Sequence, residues 1–309
     1  MVIIGTVKRE PYSLPLRPTE RRNPHTRGLD KMSTPAVLRA MNREDASVAG
    51  AVRRALPAIA RAVDAAASAL RHGGRLFYLG AGTSGRLAAL DAAECPPTFG
   101  TSPKKVQAVL AGGNRALTGA VEGEEDSAKN GARDMARRGV SRRDVVAGIT
   151  ASGETPYVVG AIQYAKRRGA LTIGVTSNRG STVGRLARIA IVLQTGPEAV
   201  TGSTRLKAGT AQKMVLNLLS TAVMVRLGRV YDNWMIGVAL TNHKLQARGL
   251  RILREASGAE VSQAAHALRQ SGHDLRVALI MLKAGVNAGE ARRRLTRARG
   301  ELRRALGEK

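Results

Sequence analysis

Two hydroxyl-rich turns contain the residue types that bind a phosphate group. They read GAGTSGR at 80–86 and TASGETP at 150–156. Hydroxyls and free backbone N–H groups at a helix start favour an anion, although either turn alone would also fit an ordinary capped helix. The first turn also has the G-x-G-x-x-G spacing of dinucleotide sites, but the AGGN at 111–114 offers no acid for a ribose. Together the turns favour a sugar phosphate, and the candidate ligands are Thr83, Ser84, Gly85, Ser152 and Thr155.

Two acidic positions follow the first turn and could move protons. Glu94 precedes CPP at 95–97, a proline pair predicted to end the helix that starts in the first turn. The acidic cluster EGEED at 122–126 precedes another predicted helix. Acids at helix starts usually only stabilise the helix, so Glu94 is the stronger candidate. Two carboxylates in different environments can serve as general acid and general base.

A third polar stretch lies at 196–213 and offers further anion ligands, among them Ser203 and Lys207. The five His residues lack metal-ligand spacing, and Cys95 is the single cysteine. The sequence therefore predicts no metal site and no cofactor.

Five short apolar runs are expected to position these turns. They lie at 75–80, 106–112, 145–150, 171–177 and 189–195, and they are apolar on both faces, as buried parallel strands are. Their spacing leaves room for crossover helices. The pattern predicts an α/β fold with a doubly wound parallel sheet, in which ligands bind at the carboxyl ends of the strands.

The remaining chain divides into flanking parts. Residues 1–34 are polar and read as an arm, and helical spacing of apolar residues starts at Pro35. After residue 241 the strand runs stop, and glycines such as Gly249 punctuate several predicted short helices. The expected units are therefore 1–50 (arm and helix), 51–240 (phosphosugar-binding domain) and 241–309 (helical module).

Composition narrows the class of protein. With 43% apolar residues and one cysteine, the chain can build a core but no internal disulfide, which favours the cytoplasm. Its longest apolar stretch is too short for a bilayer, so no membrane partner is expected. A net charge of +27 is typical of proteins that bind nucleic acid, but the basic residues are scattered along the chain and only 3% of all residues are aromatic. We therefore expect no specific nucleic-acid partner.

Three longer stretches resemble a known family. LGAGTSGRLAALDAAECPPTFG (79–100), AVEGEEDS (120–127) and GPEAVTGSTRLKAGTAQK (196–213) are similar to the N-acetylmuramic acid 6-phosphate etherases. These are sugar-isomerase-domain (SIS) proteins related to the glucokinase regulatory protein. The resemblance covers nearly the whole chain, and ECPPT and GSTRLKAGTAQK are its most specific parts.

The resemblance implies a cytoplasmic, homodimeric lyase of cell-wall sugar recycling that binds an amino-sugar phosphate. It would remove the D-lactyl ether of N-acetylmuramate 6-phosphate, by elimination and then water addition, to give N-acetylglucosamine 6-phosphate and D-lactate. The family's catalytic acid falls on Glu94 and its second active-site glutamate on Glu125. The fold would be an α/β/α sandwich with a three-helix, ubiquitin-associated-like tail. The family commonly has Arg where this chain has Glu154, which alters one contact in the second turn.

Two other functions fit the same residues. A sugar-phosphate-sensing regulator would bind without turnover, but such a protein normally carries two sugar-isomerase domains, and this chain has one set of turns. A nucleic-acid-binding regulator rests on charge alone. Release of D-lactate from N-acetylmuramate 6-phosphate would separate these functions from the etherase.

Overall fold

The predicted strands form one parallel sheet in the computed structural model, which describes residues 17–240 and 242–308. The strand order is β2-β1-β3-β4-β5. The strands are β1 (Leu76–Gly80), β2 (Val106–Leu110), β3 (Val145–Ile149), β4 (Leu171–Thr176) and β5 (Ile189–Val192). Each of the five apolar runs therefore contains a strand, and the predicted doubly wound parallel sheet is confirmed.

Helices cover both faces of the sheet. They are α1 (Thr34–Arg71), α2 (Gly82–Phe99), α3 (Arg115–Thr118), α4 (Ala128–Arg137), α5 (Pro156–Arg167), α6 (Thr182–Leu186) and α7 (Lys207–Arg226). Residues of α1, α2 and α7 share one core with Tyr78 and Ala147, while residues of α4 and α5 share another with Phe77 and Val146. The side chains of successive strand residues therefore pack into cores on opposite faces of the sheet, because side chains alternate between the two faces along a strand. The α/β/α sandwich is confirmed.

The two hydroxyl-rich turns lie next to each other because of the strand order. Strand β1 pairs with β3 in register, so that Gly80 lies beside Ile149 at the carboxyl ends of both strands. The chain winds outward from this point, to β2 on one side and to β4 on the other. Such a switch point is where open α/β sheets bind ligands.

Two predictions about local structure are wrong. Helix α2 continues through Pro96 and Pro97 to Phe99, because Cys95 and Phe99 are buried in the core and hold the last turn in place. The described part of the expected arm before α1, 17–33, forms three short 3-10 turns that pack on the domain, while residues 1–16 lie outside the described residues.

The C-terminal region has its own apolar core. It contains α8 (His243–Ser257), α9 (Val261–Gln270), α10 (Leu275–Ala284), α11 (Ala288–Arg297) and α12 (Leu302–Leu306). These helices outnumber the three that the resemblance implies, so that expectation is wrong in number. Helix α8 also continues through Gly249, which is buried against Leu240 and Leu275 and does not punctuate the chain.

Candidate active site

The first hydroxyl-rich turn leaves the start of a helix open to solvent. Helix α2 begins at Gly82, and its N-cap residue, Ala81, has no side chain that could accept from the first N–H groups. Ser84 is buried, and its Oγ donates to Oε1 of Gln212 on α7 at 2.9 Å. The N-terminal end of α2 therefore offers uncapped N–H donors and a positive dipole end.

The second turn does the same for α5. The Thr150 hydroxyl lies 2.8 Å from the Thr155 hydroxyl and 3.3 Å from the Ser152 hydroxyl, and it accepts from the Gly153 N–H at 3.2 Å. Thr155 is the N-cap residue of α5, but its side chain does not cap that helix. Three hydroxyls are thus held together beside a second uncapped helix start.

Both turns line one cavity of about 390 Å³. Four of the five predicted turn ligands border it: Thr83, Ser84, Ser152 and Thr155. Glu125 borders the same cavity from the 3-10 turn Glu124–Asp126. The structure therefore brings the predicted phosphate ligands and one predicted catalytic glutamate together.

Two glycines make this geometry possible. A Cβ on Gly85 would lie 2.0 Å from Cδ1 of Leu110 and 2.7 Å from the Gly80 carbonyl oxygen, so the residue lets α2 start directly against the sheet. Gly153 has a φ of +75°, and a Cβ there would lie 2.3 Å from Ser181. Gly85 thus supports the site through packing.

The 196–206 loop contributes Thr204, one of the candidate anion ligands of the third polar stretch, to the cavity wall. Ser203 is half-buried and is not among the cavity-lining residues. Lys207 is buried and pairs through Nζ with Oε2 of Glu44 at 2.5 Å. Its position argues against the predicted phosphate contact, because its charge is already neutralised inside the protein.

Two buried carboxylates fix this loop. Glu198 is fully buried and accepts from the backbone N–H groups of Lys207 and Ala208, both at 2.9 Å, which caps α7. Glu44 also accepts from Asn23 at 2.8 Å and contacts Nδ1 of His25 at 2.9 Å. Sequence patterns could not show these partners, since residue 44 lies far from 198 and 207 in the chain.

These contacts change the pKa of both carboxyls. Burial would raise the pKa of Glu44, but hydrogen bonds from Lys207, His25 and Asn23 outweigh it and lower the pKa to about 2. Burial raises the pKa of Glu198, against its two backbone hydrogen bonds. Glu44 is thus the ionised centre of the network that holds residues 23–25 and the start of α7.

A second polar cluster lies between α2 and α7. Asp91 accepts from the Ser220 hydroxyl at 3.0 Å, and burial raises the pKa of Asp91 to about 6. Burial and the Asp91 charge raise the pKa of the Cys95 thiol to about 12. Because Ser84 bonds to Gln212 and Asp91 to Ser220, α2 and α7 run side by side in the same direction.

Glu94 lies apart from the cavity. It is exposed on α2, ten residues beyond Ser84, which corresponds to about 15 Å along the helix. The register of the two helices places it level with residues 221–225 of α7. The structure thus separates the two predicted glutamates within one chain.

Three acids of the cavity wall were not selected as ligands from the sequence. Glu20 comes from the N-terminal segment, Asp126 from the acidic cluster and Glu154 from the second turn. Glu154 accepts from the backbone N–H of Thr182 at 2.8 Å and pairs with Arg17 at 2.9 Å. Glu20 lies in the sequence TERRN at 19–23, which contains no signal that would place it beside the turns.

The described residues offer neither a cluster of metal ligands nor a membrane-spanning helix. Within 17–240 and 242–308, no group of three His, Cys, Asp or Glu side chains could share a metal ion. In the same ranges, no helix combines the length and the apolar character needed to cross a membrane.

Two family models match the domain that holds the cavity. The glucokinase regulatory protein N-terminal SIS domain matches residues 58–166, and the SIS domain matches residues 120–222. A phosphoheptose isomerase from Francisella tularensis superposes with a TM-score of 0.50 at 20% identity, covering 63% of this chain and 100% of that one. This likeness supports the fold alone.

Relatives of known name match almost the entire chain. An N-acetylmuramic acid 6-phosphate etherase of Serratia proteamaculans (strain 568) is 52% identical over 288 residues, covering 93% of this chain and 97% of the relative. One of Mycolicibacterium smegmatis (strain ATCC 700084 / mc(2)155) is 53% identical over 289 residues, covering 94% and 97%. The similarity thus extends over nearly the whole chain and over nearly the whole length of these relatives.

Proposed function

Because the chain belongs to the family of N-acetylmuramic acid 6-phosphate etherases, we propose that it cleaves the D-lactyl ether of N-acetylmuramate 6-phosphate. The products are N-acetylglucosamine 6-phosphate and D-lactate. The observation that carries this proposal is the cavity in which two uncapped helix starts face Glu125.

The 6-phosphate binds between the starts of α2 and α5. Backbone N–H groups and the hydroxyls of Thr83, Ser152 and Thr155 supply donors on two sides, and Ser84 contributes its backbone N–H because its hydroxyl donates to Gln212. The positive ends of two helix dipoles add attraction for a dianion. Anchoring the phosphate here leaves the other end of the sugar free to reach the catalytic acids.

The reaction is an elimination followed by water addition. Once the ring opens, C1 is an aldehyde and the proton on C2 is acidic. A base removes that proton, the C3–O bond breaks with its electron pair moving to the lactyl oxygen, and an acid protonates that oxygen. Water then adds to the resulting C2=C3 double bond, with hydroxyl at C3 and a proton at C2.

We assign Glu125 as the base and Glu94 as the acid. Glu125 borders the cavity, whereas Glu94 of the same chain lies about 15 Å along α2 from Ser84. A proton donor must come within hydrogen-bond reach of the lactyl oxygen. The acid in each site is therefore Glu94 of the partner subunit in a homodimer.

An exposed apolar face supports the dimer. Leu90, one turn before Glu94, is 50% exposed, and Leu218 and Val225 on α7 are 38% and 48% exposed. Beside them a groove is lined by Asn217, Leu218, Thr221, Ala222, Val225 and Arg226. A second copy seated on this face would cover the apolar side chains and bring Glu94 into a shared interface.

Mixing two inactive variants tests the assignment. Glu94→Gln and Glu125→Gln should each lower D-lactate release by orders of magnitude. In a mixed dimer, one site keeps Glu125 from one chain and Glu94 from the other, so activity should return to that site. Re-equilibrated mixtures are assayed for D-lactate, and product formed in D₂O should carry deuterium at C2.

The control is Glu124→Gln. Glu124 accepts from the Asn130 side chain at 3.1 Å and does not line the cavity, so turnover should stay near wild type. Mixtures as inactive as each parent would place both acids in one chain. Wild-type turnover in Glu94→Gln would rule out the assigned acid.

The expected division of the chain complements this reaction. We propose that residues 51–240 form the phosphosugar-binding domain and that residues 241–309 form a separate helical module. Helix α1 links the N-terminal unit, 1–50, to the sheet domain. We also place the enzyme in the cytoplasm, where the single Cys95 stays reduced.

A further inference from the structure

The cavity has an unexpected charge for a phosphate site. Four carboxylates border it, from Glu20, Glu125, Asp126 and Glu154, whereas no Lys or Arg is among its lining residues in the described part of the chain. Each helix start supplies only about half a positive charge. A phosphate dianion beside four carboxylates therefore needs a further cation close by.

Arg17 is placed to supply that cation. Its Nη2 lies 2.9 Å from Oε1 of Glu154, and each side chain is 32% exposed. The next turn of chain, Pro18–Glu20, brings Glu20 to the cavity wall. Because guanidinium has five N–H donors in a planar fork, a contact with one carboxylate leaves donors for a second anion.

Glu154 is fixed well enough to orient Arg17. Its Oε1 accepts from the backbone N–H of Thr182 at 2.8 Å, and its Oε2 accepts from the Thr182 hydroxyl at 2.6 Å. Burial alone would raise the pKa of Glu154, but the bonds from Thr182 and the charges of Arg17 and Arg185 keep it below its usual value. The carboxylate thus stays ionised and holds the Arg17 guanidinium beside the cavity wall.

Buried polar bonds hold the segment that carries Arg17. The hydroxyl of Thr19, which is fully buried, accepts from Nδ2 of Asn178 at 3.1 Å. Further along, the Thr26 hydroxyl donates to the Ala199 carbonyl oxygen at 2.8 Å. The segment is thereby joined to the end of β4 and to the loop that carries Thr204.

We propose that Arg17 binds the 6-phosphate of the substrate and that Glu154 orients it at the rim of the cavity. The inference rests on the proposed function for the identity of the sugar phosphate. It makes the N-terminal segment part of the binding site, although this segment lies outside the sheet domain that holds the two turns.

The test compares Arg17→Gln with Glu154→Gln. Titration calorimetry with N-acetylglucosamine 6-phosphate gives Kd, and turnover of N-acetylmuramate 6-phosphate gives KM and kcat. Losing a charge-assisted contact to phosphate should raise both Kd and KM for Arg17→Gln at least about tenfold, with kcat within about twofold. Glu154→Gln keeps Arg17 but loosens its orientation, and it also removes a negative charge from the cavity wall. Because these two effects oppose each other, its Kd should change less than about threefold.

Arg22→Gln is the matched control, because Arg22 is exposed in the same segment and does not line the cavity. Its Kd should equal that of wild type. Equal losses in Arg17→Gln and Glu154→Gln would make the pair merely structural and overturn the inference, as would an unchanged Kd in Arg17→Gln. If Ser152→Ala weakens binding while Arg17→Gln does not, the phosphate binds in the cavity without Arg17, and the inference is wrong. A wild-type protein that releases no D-lactate would instead refute the proposed function.

Discussion

Replacing Glu44 by Gln should destabilise the protein by about 3 kcal/mol at pH 7. Lys207 is only 3% exposed and its charge pairs with Glu44, so Glu44→Gln leaves a buried ammonium without a counterion. Removing one partner of a buried pair costs on the order of 3–5 kcal/mol. The pKa of Glu44, lowered from 4.5 to about 2, gives a similar value of about 3 kcal/mol at 1.36 kcal/mol per pKa unit.

The pH dependence has a defined sign. The unfolded chain binds a proton at Glu44 near pH 4.5, whereas the folded chain binds it near pH 2. The stabilisation is therefore complete above about pH 5 and is lost as the pH falls through this window. Glu44→Gln should remove that part of the pH dependence.

Urea unfolding followed by circular dichroism measures this effect. Wild type and Glu44→Gln are compared from pH 7 to pH 3.5 at one protein concentration, because a dimer makes stability concentration-dependent. Asp45→Asn is the control, since Asp45 is the exposed neighbour on the same helix. A free energy of unfolding within 0.5 kcal/mol of wild type, with the same slope against pH, would refute the assigned role of the pair.

Three further predictions concern the sheet edge, the helix interface and the substrate. Gly85→Ala places a Cβ 2.0 Å from Leu110 and should both lower the melting temperature and raise KM. Gly50→Ala should do neither, because Gly50 is a half-buried residue of α1 whose added Cβ would lie 3.7 Å from the Arg54 side chain, an ordinary contact. In the folded protein Asp91 holds its proton up to about pH 6, so the free energy of unfolding of wild type should fall as the pH rises from about 4 to 6. In urea titrations Asp91→Asn should show a smaller decline over this pH range. An unchanged decline would mean that other groups cause it. Unphosphorylated N-acetylmuramate should have a specificity constant orders of magnitude below that of the 6-phosphate, because the remote phosphate supplies orienting energy; similar constants would contradict the phosphate site.

The sheet and the meeting of the two turns could be predicted because both depend on local pattern. Short runs apolar on both faces form strands, and parallel strands bring their carboxyl ends to one edge. Thr83 and Ser152 therefore reach the same cavity once their strands are adjacent. Helix α5 starts at Pro156, in keeping with the preference for proline in the first turn of a helix.

The remaining features depend on partners that are distant in the chain. Lys207 has the residue type of a phosphate ligand, but only the fold shows that Glu44 neutralises it. Pro96 predicts a helix end because proline inside a helix removes a backbone hydrogen bond, whereas burial of Cys95 and Phe99 keeps the last turn of α2 helical. The sequence predicts Glu94 in the same helix as Ser84, so its distance from the first turn follows from the helical rise, whereas its exposure depends on how α2 packs against α7.

The pairing of α1 with α7 has a consequence for how the chain is made. The two helices cover the same face of the sheet, but α7 begins about 135 residues after α1 ends. During synthesis the apolar stripe of α1 therefore leaves the ribosome long before its cover exists, a stage at which exposed apolar surface promotes aggregation. Most of that stripe is alanine and valine, among them Ala51, Val52 and Ala62. These small side chains expose little apolar area per residue before α7 is synthesised. We expect nascent chains that stop after β5 to be held by chaperones, and release to coincide with the emergence of α7.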